Sequence, residues 1–162
     1  MTVQQRDPAD RQRTARVLAG ASQAELADLW REWPDRPDVE YVRGPEQGLV
    51  MVQARAGGRG DRFHLGEATV TRATVAVRSG GGESLGTAYV LGSRPEHAAL
   101  AAIFDGMLGS AARDRVLTGV IDVLERRQGE RDAERRSDAR STVVDFFTVA
   151  RENDGSDDED DE

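Results

Sequence analysis

The chain has 162 residues, of which 30 are acidic and 22 basic, for a net charge of −8; 38% are hydrophobic and 5% aromatic, and the mean hydropathy is −0.60. This length implies one domain with a thin core, which makes a permanent partner plausible, and the acidic balance argues against nucleic acid as a ligand. Cys and Lys are both absent, so all basic residues are Arg; this excludes disulfides, thiolate catalysis, Cys-ligated zinc, a chain-borne iron–sulfur cluster, Schiff-base chemistry and a P-loop lysine.

Residues 1–16 are charged and lack an apolar run, unlike a secretory signal, and the longest apolar stretch, residues 98–104, is far short of a membrane span. The expectation is a cytoplasmic chain with no membrane contact. A first helix is expected over residues 10–21, with Val17 and Leu18 as its apolar contacts. Ser22 and Glu25 fit a capping box, and Leu26, Leu29, Trp30 and Trp33 then share one helical face before Pro34 and Pro37 stop the helix.

Residues 39–43 and 49–55 read as two strands around a hairpin turn, Gly44-Pro45-Glu46-Gln47-Gly48. In residues 69–78, Thr71, Ala73, Val75 and Val77 alternate with Arg72, Thr74 and Arg78, and Gly80-Gly81-Gly82 turns the chain into a strand over residues 85–91. The pattern predicts an antiparallel sheet of about four strands.

Ser93 and Glu96, with Pro95 in the first turn, open a helix whose stripe is Leu100, Ile103, Phe104, Met107 and Leu108; after Gly109 another carries Val116, Leu117, Val120, Ile121 and Leu124. Residues 125–142 hold six Arg and five acids, with Ala133 and Ala139 as the only apolar residues. A segment this polar is either a solvated arm or a surface recruited by another subunit. Its Asp132 and Arg136 are spaced for an i,i+4 pair, and it interleaves no aromatic residue for base stacking.

Residues 143–149, Val-Val-Asp-Phe-Phe-Thr-Val, favour a final short strand. The fold class is thus α+β: N-terminal helices, an antiparallel sheet, C-terminal helices and a closing strand. Residues 1–152 form the domain. Residues 153–162 form a disordered acidic tail, with seven acids in the last nine positions, so the rest of the chain carries only −1.

Residues 55–62 pack three Gly and three Arg into eight positions. Such a run suits a backbone nest for phosphate or phosphonate oxygens, or else a mobile loop between strands. Arg55, Arg59, Arg62 and Arg72, with Glu67 positioning one of them, are the candidates for anion binding or subunit contact. No catalytic residue and no metal site emerge. His64 and His97 are too scattered to suggest metal ligation; His97 reads as a satisfied structural histidine and Asp105 as a solvent-facing helix residue.

The run from Arg43 to Arg55, Arg-Gly-Pro-Glu-Gln-Gly-Leu-Val-Met-Val-Gln-Ala-Arg, resembles the signature of the PhnG family. The likeness continues through Gly57-Gly58-Arg59-Gly60-Asp61-Arg62-Phe63, Leu65-Gly66-Glu67-Ala68-Thr69-Val70-Thr71-Arg72, Tyr89-Val90-Leu91-Gly92, His97-Ala98 and Val144-Asp145-Phe146-Phe147-Thr148. Ala56 and Arg59 depart from the Met and Thr often found in the glycine loop. The resemblance implies the G subunit of the bacterial carbon–phosphorus lyase system. There the G, H and I subunits, with the L subunit, transfer the ribosyl triphosphate of MgATP to an alkylphosphonate and release adenine, before a radical subunit breaks the carbon–phosphorus bond. It also implies H, I and J as partners, the L ATPase as a transient one, MgATP as co-substrate of the complex, and no cofactor held by this chain. The alternative is a self-sufficient anion-binding module working without other subunits.

Overall fold

The computed structural model describes residues 7–141; the expected closing strand and the acidic tail lie outside them. Helix α1 (Pro8–Gly20) begins where the Asp7 carboxylate accepts the Ala9 N–H at 2.9 Å, with Pro8 in the first turn, where no N–H is needed. Helix α2 (Gln23–Arg31) has the expected capping box: the Glu25 N–H donates to the Ser22 hydroxyl at 3.2 Å, and the Ser22 N–H to the Glu25 carboxylate at 2.9 Å. Trp33 lies just past the helix, yet its ring and that of Trp30 meet Phe104 edge-on at 6.1 and 6.0 Å.

The sheet has three strands, β1 (Asp38–Arg55), β2 (Arg62–Ser79) and β3 (Gly82–Leu91), all antiparallel in that order. Two of the expected strands are one. The segment Gly44-Pro45 is a bulge inside β1, where the partner register jumps from Arg43↔Thr74 to Glu46↔Arg72. Its proline is tolerated because β1 is an edge strand and needs no donor there. The expected turn at Gly80-Gly81 does form, with φ of 60° and 78° at its two central residues, the conformation a tight hairpin demands and glycine adopts freely.

One face of the sheet carries Ala73, Val75, Val77, Ala88 and Val90 against helix α3 (Pro95–Met107). Helix and sheet approach to backbone contact. A Cβ on Gly86 would collide with the Ala102 carbonyl and the Gly106 N–H, and one on Gly106 would lie 2.6 Å from Val77 Cγ2. Two polar bonds fix this seam: the Ser84 hydroxyl donates to the Gly106 carbonyl at 2.6 Å, and the Thr87 N–H to the Asp105 carboxylate at 2.9 Å. Asp105 is therefore buried rather than solvent-facing; the crossing of α3 over β3 turns it inward.

The expected Ser93 cap is also replaced. Arg94 is the cap residue without a side-chain bond, and Thr71 of β2 holds the turn, accepting the Arg94 N–H at 2.9 Å and donating to the Gly92 carbonyl at 2.6 Å. His97 is fully buried, and its Nε2 donates to the Leu18 carbonyl at 2.9 Å, tying α3 to α1 as a structural histidine.

A short helix, α4 (Arg113–Val116), continues through a π-helical turn (Leu117–Ile121) into α5 (Asp122–Ser141). The apolar residues of the turn and Leu124 enter the core. The polar stretch beyond is recruited by the chain's own helices. Arg13 bonds Asp122 at 3.0 Å and Glu125 at 2.5 Å, Gln128 donates to the Val17 carbonyl at 2.8 Å, and Arg131 reaches Glu25 at 2.9 Å. Further along, Asp132 pairs with Arg135, one residue before the expected Arg136.

Three outcomes follow from these contacts. Gly86→Ala should lower stability by at least about 1–3 kcal/mol, read as a fall in Tm, because backbone lines the site and cannot give way. Asp105→Ala should cost about 1–3 kcal/mol by leaving the Thr87 N–H unpaired, and Asp105→Asn distinctly less, measured as the urea midpoint at constant m-value. Burial pushes the Glu25 carboxyl up, but the Ser22 N–H, the Arg131 guanidinium and the Ser22 hydroxyl outweigh it and leave the group below its ordinary value. Its stabilising contribution is thus complete above the unfolded value of about 4.3 and lost as pH falls through the folded one. The Tm gap between wild type and Glu25→Gln should be constant near neutrality and close on acidification.

Candidate functional site

Strand β3 ends at Leu91, opposite Val70, so among the described residues β1 beyond Gly48 and β2 before Val70 continue with no third strand. They form a two-stranded arm that ends at the pair Arg55↔Arg62. Eight residues of β2 separate Val70 from Arg62, which places the tip about 25 Å beyond the end of β3 at the usual rise per residue. The tip is a 3₁₀ turn, Ala56–Gly58. Gly57 and Gly58 there have φ of 56° and 76°, and a Cβ on Gly60 would lie 2.7 Å from the Ala56 carbonyl. The glycines let the chain reverse in this space, with arginines spaced between them.

Register groups the candidate residues. Arg55 and Arg62 are cross-strand partners and share a face; the next pair on it is Gln53↔His64, hydrogen-bonded at 3.0 Å, and then Met51↔Glu67. A second bulge at Leu65 lies between these last two pairs. Arg59 sits in the turn itself, and Arg55 also donates to the Gly60 carbonyl at 3.2 Å. Among the described residues no ion pair reaches Arg55, Arg59, Arg62 or Glu67. Like charges set directly opposite on a strand pair repel, and no carboxylate among the described residues relieves that repulsion.

Arg72 is not part of this group. Ten residues, about 33 Å, separate it from Arg62 along β2, and it lies on the sheet face away from α3, bonded to Glu46 at 2.5 Å. Arg43 reaches the same carboxylate at 2.9 Å. The guanidinium groups of Arg43 and Arg72 hold the Glu46 carboxyl below its usual range, and Glu46 in turn raises Arg72. The partner of Arg72 is thus Glu46, its cross-strand neighbour, and not Glu67. Glu46 and Gln53 escaped sequence reasoning because only the bulged register places them beside Arg72 and His64.

Among the described residues nothing forms a layer over the face away from α3. Leu85, Tyr89 and Leu91 are 61%, 59% and 70% exposed, and Val50 adds to them from β1. The charges on this face are already matched: Arg78 pairs with Asp38, Glu40 and Glu83. The arm is apolar as well, with Leu49, Met51, Phe63 and Leu65 all exposed. Two depressions mark the described body. One, between α1 and α4, is about 70 Å³ and lined by Asp10, Arg13, Thr14, Leu108, Arg113 and Leu117, well below the usual few hundred Å³ of a ligand pocket. Another borders the turn from Arg78 to Glu83 and is open to solvent. Among the described residues no group of three or more His, Cys, Asp or Glu is placed to hold a metal ion, and no helix is long and apolar enough to cross a membrane.

These features define a small α+β chain with a projecting cationic arm and an uncovered sheet face. Over residues 9–152 it matches the family described as phosphonate metabolism protein PhnG. A relative from Rhizobium meliloti (strain 1021), named alpha-D-ribose 1-methylphosphonate 5-triphosphate synthase subunit PhnG, is 42% identical over 143 residues, covering 88% of this chain and 90% of the relative. The chain belongs to the PhnG family.

Proposed function

We propose that this chain is a subunit of a carbon–phosphorus lyase complex in organophosphonate catabolism. It is required there for making a ribose 1-alkylphosphonate 5-triphosphate from MgATP and an alkylphosphonate. In that reaction a phosphonate oxygen forms a bond to the ribose C1 carbon as the bond from C1 to adenine breaks; adenine leaves with the electron pair and takes up a proton. The PhnG relative is named as a subunit of the corresponding methylphosphonate synthase. The geometric observation that carries the reading is the arm, a two-stranded ribbon apolar along its length and cationic at its end. An isolated ribbon of this kind is marginal in water, and a third layer from another protein would complete it.

The partners we propose are the H, I and J subunits, with the L ATPase joining transiently, in the cytoplasm where the nucleotide is supplied. MgATP is a substrate of the assembly, and this chain holds no cofactor of its own. The division of labour is consistent with its composition. A chain without Cys contributes no cluster to the radical step, and one without Lys lacks the usual phosphate-gripping residue of an ATPase.

Co-expression with candidate subunits, followed by size measurement and an adenine-release assay, tests the proposal. The expected outcome is a defined hetero-oligomer that releases adenine from MgATP only when methylphosphonate and this chain are both present. A monodisperse monomer that binds methylphosphonate or ATP tightly alone and ignores the other subunits would instead establish the self-sufficient module.

A further inference from the structure

Resting on that reading, we infer that the arm tip is a polyphosphate-binding element delivered to a site shared with another subunit, in which Arg55 and Arg62, joined by Arg59, hold the triphosphate of the nucleotide substrate. Three observations converge. First, Arg13, Arg43, Arg72, Arg78 and Arg131 each face a carboxylate within 3.0 Å. Among the described residues Arg55, Arg59 and Arg62 face none; single arginines such as Arg11, Arg94 and Arg126 share that state, but only these three are gathered within eight positions. In a chain of net charge −8, residues 55–62 carry three Arg against the single acid Asp61. A cationic cluster that no carboxylate among the described residues neutralises is suited to an anion from outside.

Second, the cluster is ordered by the sheet. Arg55 and Arg62 stand directly opposite on one face, and the Gln53–His64 bond below them steadies the next rung. Paired side chains at this position lie about 5 Å apart at Cβ, and each guanidinium presents a planar fork of donors. Two forks side by side, with a third at the turn, suit a row of linked phosphoryl groups. A single phosphonate is smaller and carries less charge than this cluster offers. Third, the tip stands too far from the body for the other described elements to wall a pocket around it. Leu49, Met51, Phe63 and Leu65 along the shaft supply apolar surface by which a partner would grip the arm and place the tip beside the reacting nucleotide.

The role is substrate positioning by charge-assisted bidentate hydrogen bonds; no bond to the reacting C1 carbon is made or broken by these side chains. The test uses the assembled complex, with Arg55→Gln/Arg62→Gln and Arg55→Lys/Arg62→Lys as paired variants. Size measurement first establishes assembly; KM for MgATP and for methylphosphonate, and calorimetric titration with inorganic tripolyphosphate, then read the site. The expected result for the Gln pair is an intact complex whose KM for MgATP and Kd for tripolyphosphate rise about tenfold or more, while KM for methylphosphonate changes little. The Lys pair, keeping the charge and losing the fork, should fall between. An intact Gln complex with unchanged tripolyphosphate affinity would overturn the inference. So would failure of both pairs to assemble, which would make these arginines a protein–protein contact. Failure of the wild-type complex to release adenine would count against the proposed reaction, whereas the tripolyphosphate titration reads the tip directly.

Discussion

The close approach of Gly86 to Gly106 governs much of this structure. Without side chains at these two positions, α3 settles onto β3 with backbone nearly touching backbone, and small residues such as Ala98, Ala101 and Ala102 suffice to fill the layer. A low hydrophobic fraction is workable because the seam is close rather than bulky. Ser84 and Asp105 supply its polar bonds, so that a buried carboxylate serves as an acceptor for a strand N–H. The two N-terminal helices are referenced to α3: α1 through His97, and α2 with the residues just past it through the two tryptophans around Phe104.

The helices gather on one side of the sheet, which leaves the other without a layer among the described residues. The contrast between the two ends of the molecule is mechanical. At the α3 end each strand is supported from above. Beyond Val70 the β1–β2 pair loses both its third strand and its helical layer. The same two strands therefore serve as scaffold at one end and as appendage at the other. The polar α5 follows a different logic, docking on α1 and α2 through Arg13, Gln128 and Arg131 rather than through a greasy stripe. Ion pairs this exposed contribute little individually, about 0–1 kcal/mol, so they set where the helix lies more than how firmly it is held.

Local signals were legible in the sequence where the chemistry is local. The Ser22–Glu25 capping box, the Gly80-Gly81 reversal and the alternation from Thr71 to Val77 each act within a few residues and formed as expected. Signals that depend on a partner strand misled. Gly44-Pro45 has turn composition, but on an edge strand the same residues make a bulge, and one strand was read as two. Asp105 sits in a helix among residues of either polarity, and nothing nearby announces that β3 will present it with an N–H. The Gly/Arg run is recognisable as unusual in the sequence, and the register sets Arg55 opposite Arg62 beside the turn that holds Arg59, whereas Arg72, close in sequence to Glu67, lies beside Glu46. Cross-strand register, not sequence distance, decides such company.

The long β1 edge has a consequence for the life of the chain before it meets other proteins. Eighteen residues of β1 present backbone donors and acceptors along an outer margin, and exposed Leu, Met and Phe side chains lie beside the outer half. Register irregularities at Val42, at Gly44-Pro45 and opposite Leu65 interrupt that margin, and at Pro45 no N–H is offered to a would-be neighbour. An unassembled copy therefore carries a template for edge-to-edge aggregation on its arm. A chain with such an edge gains solubility from anything that pairs with or covers it.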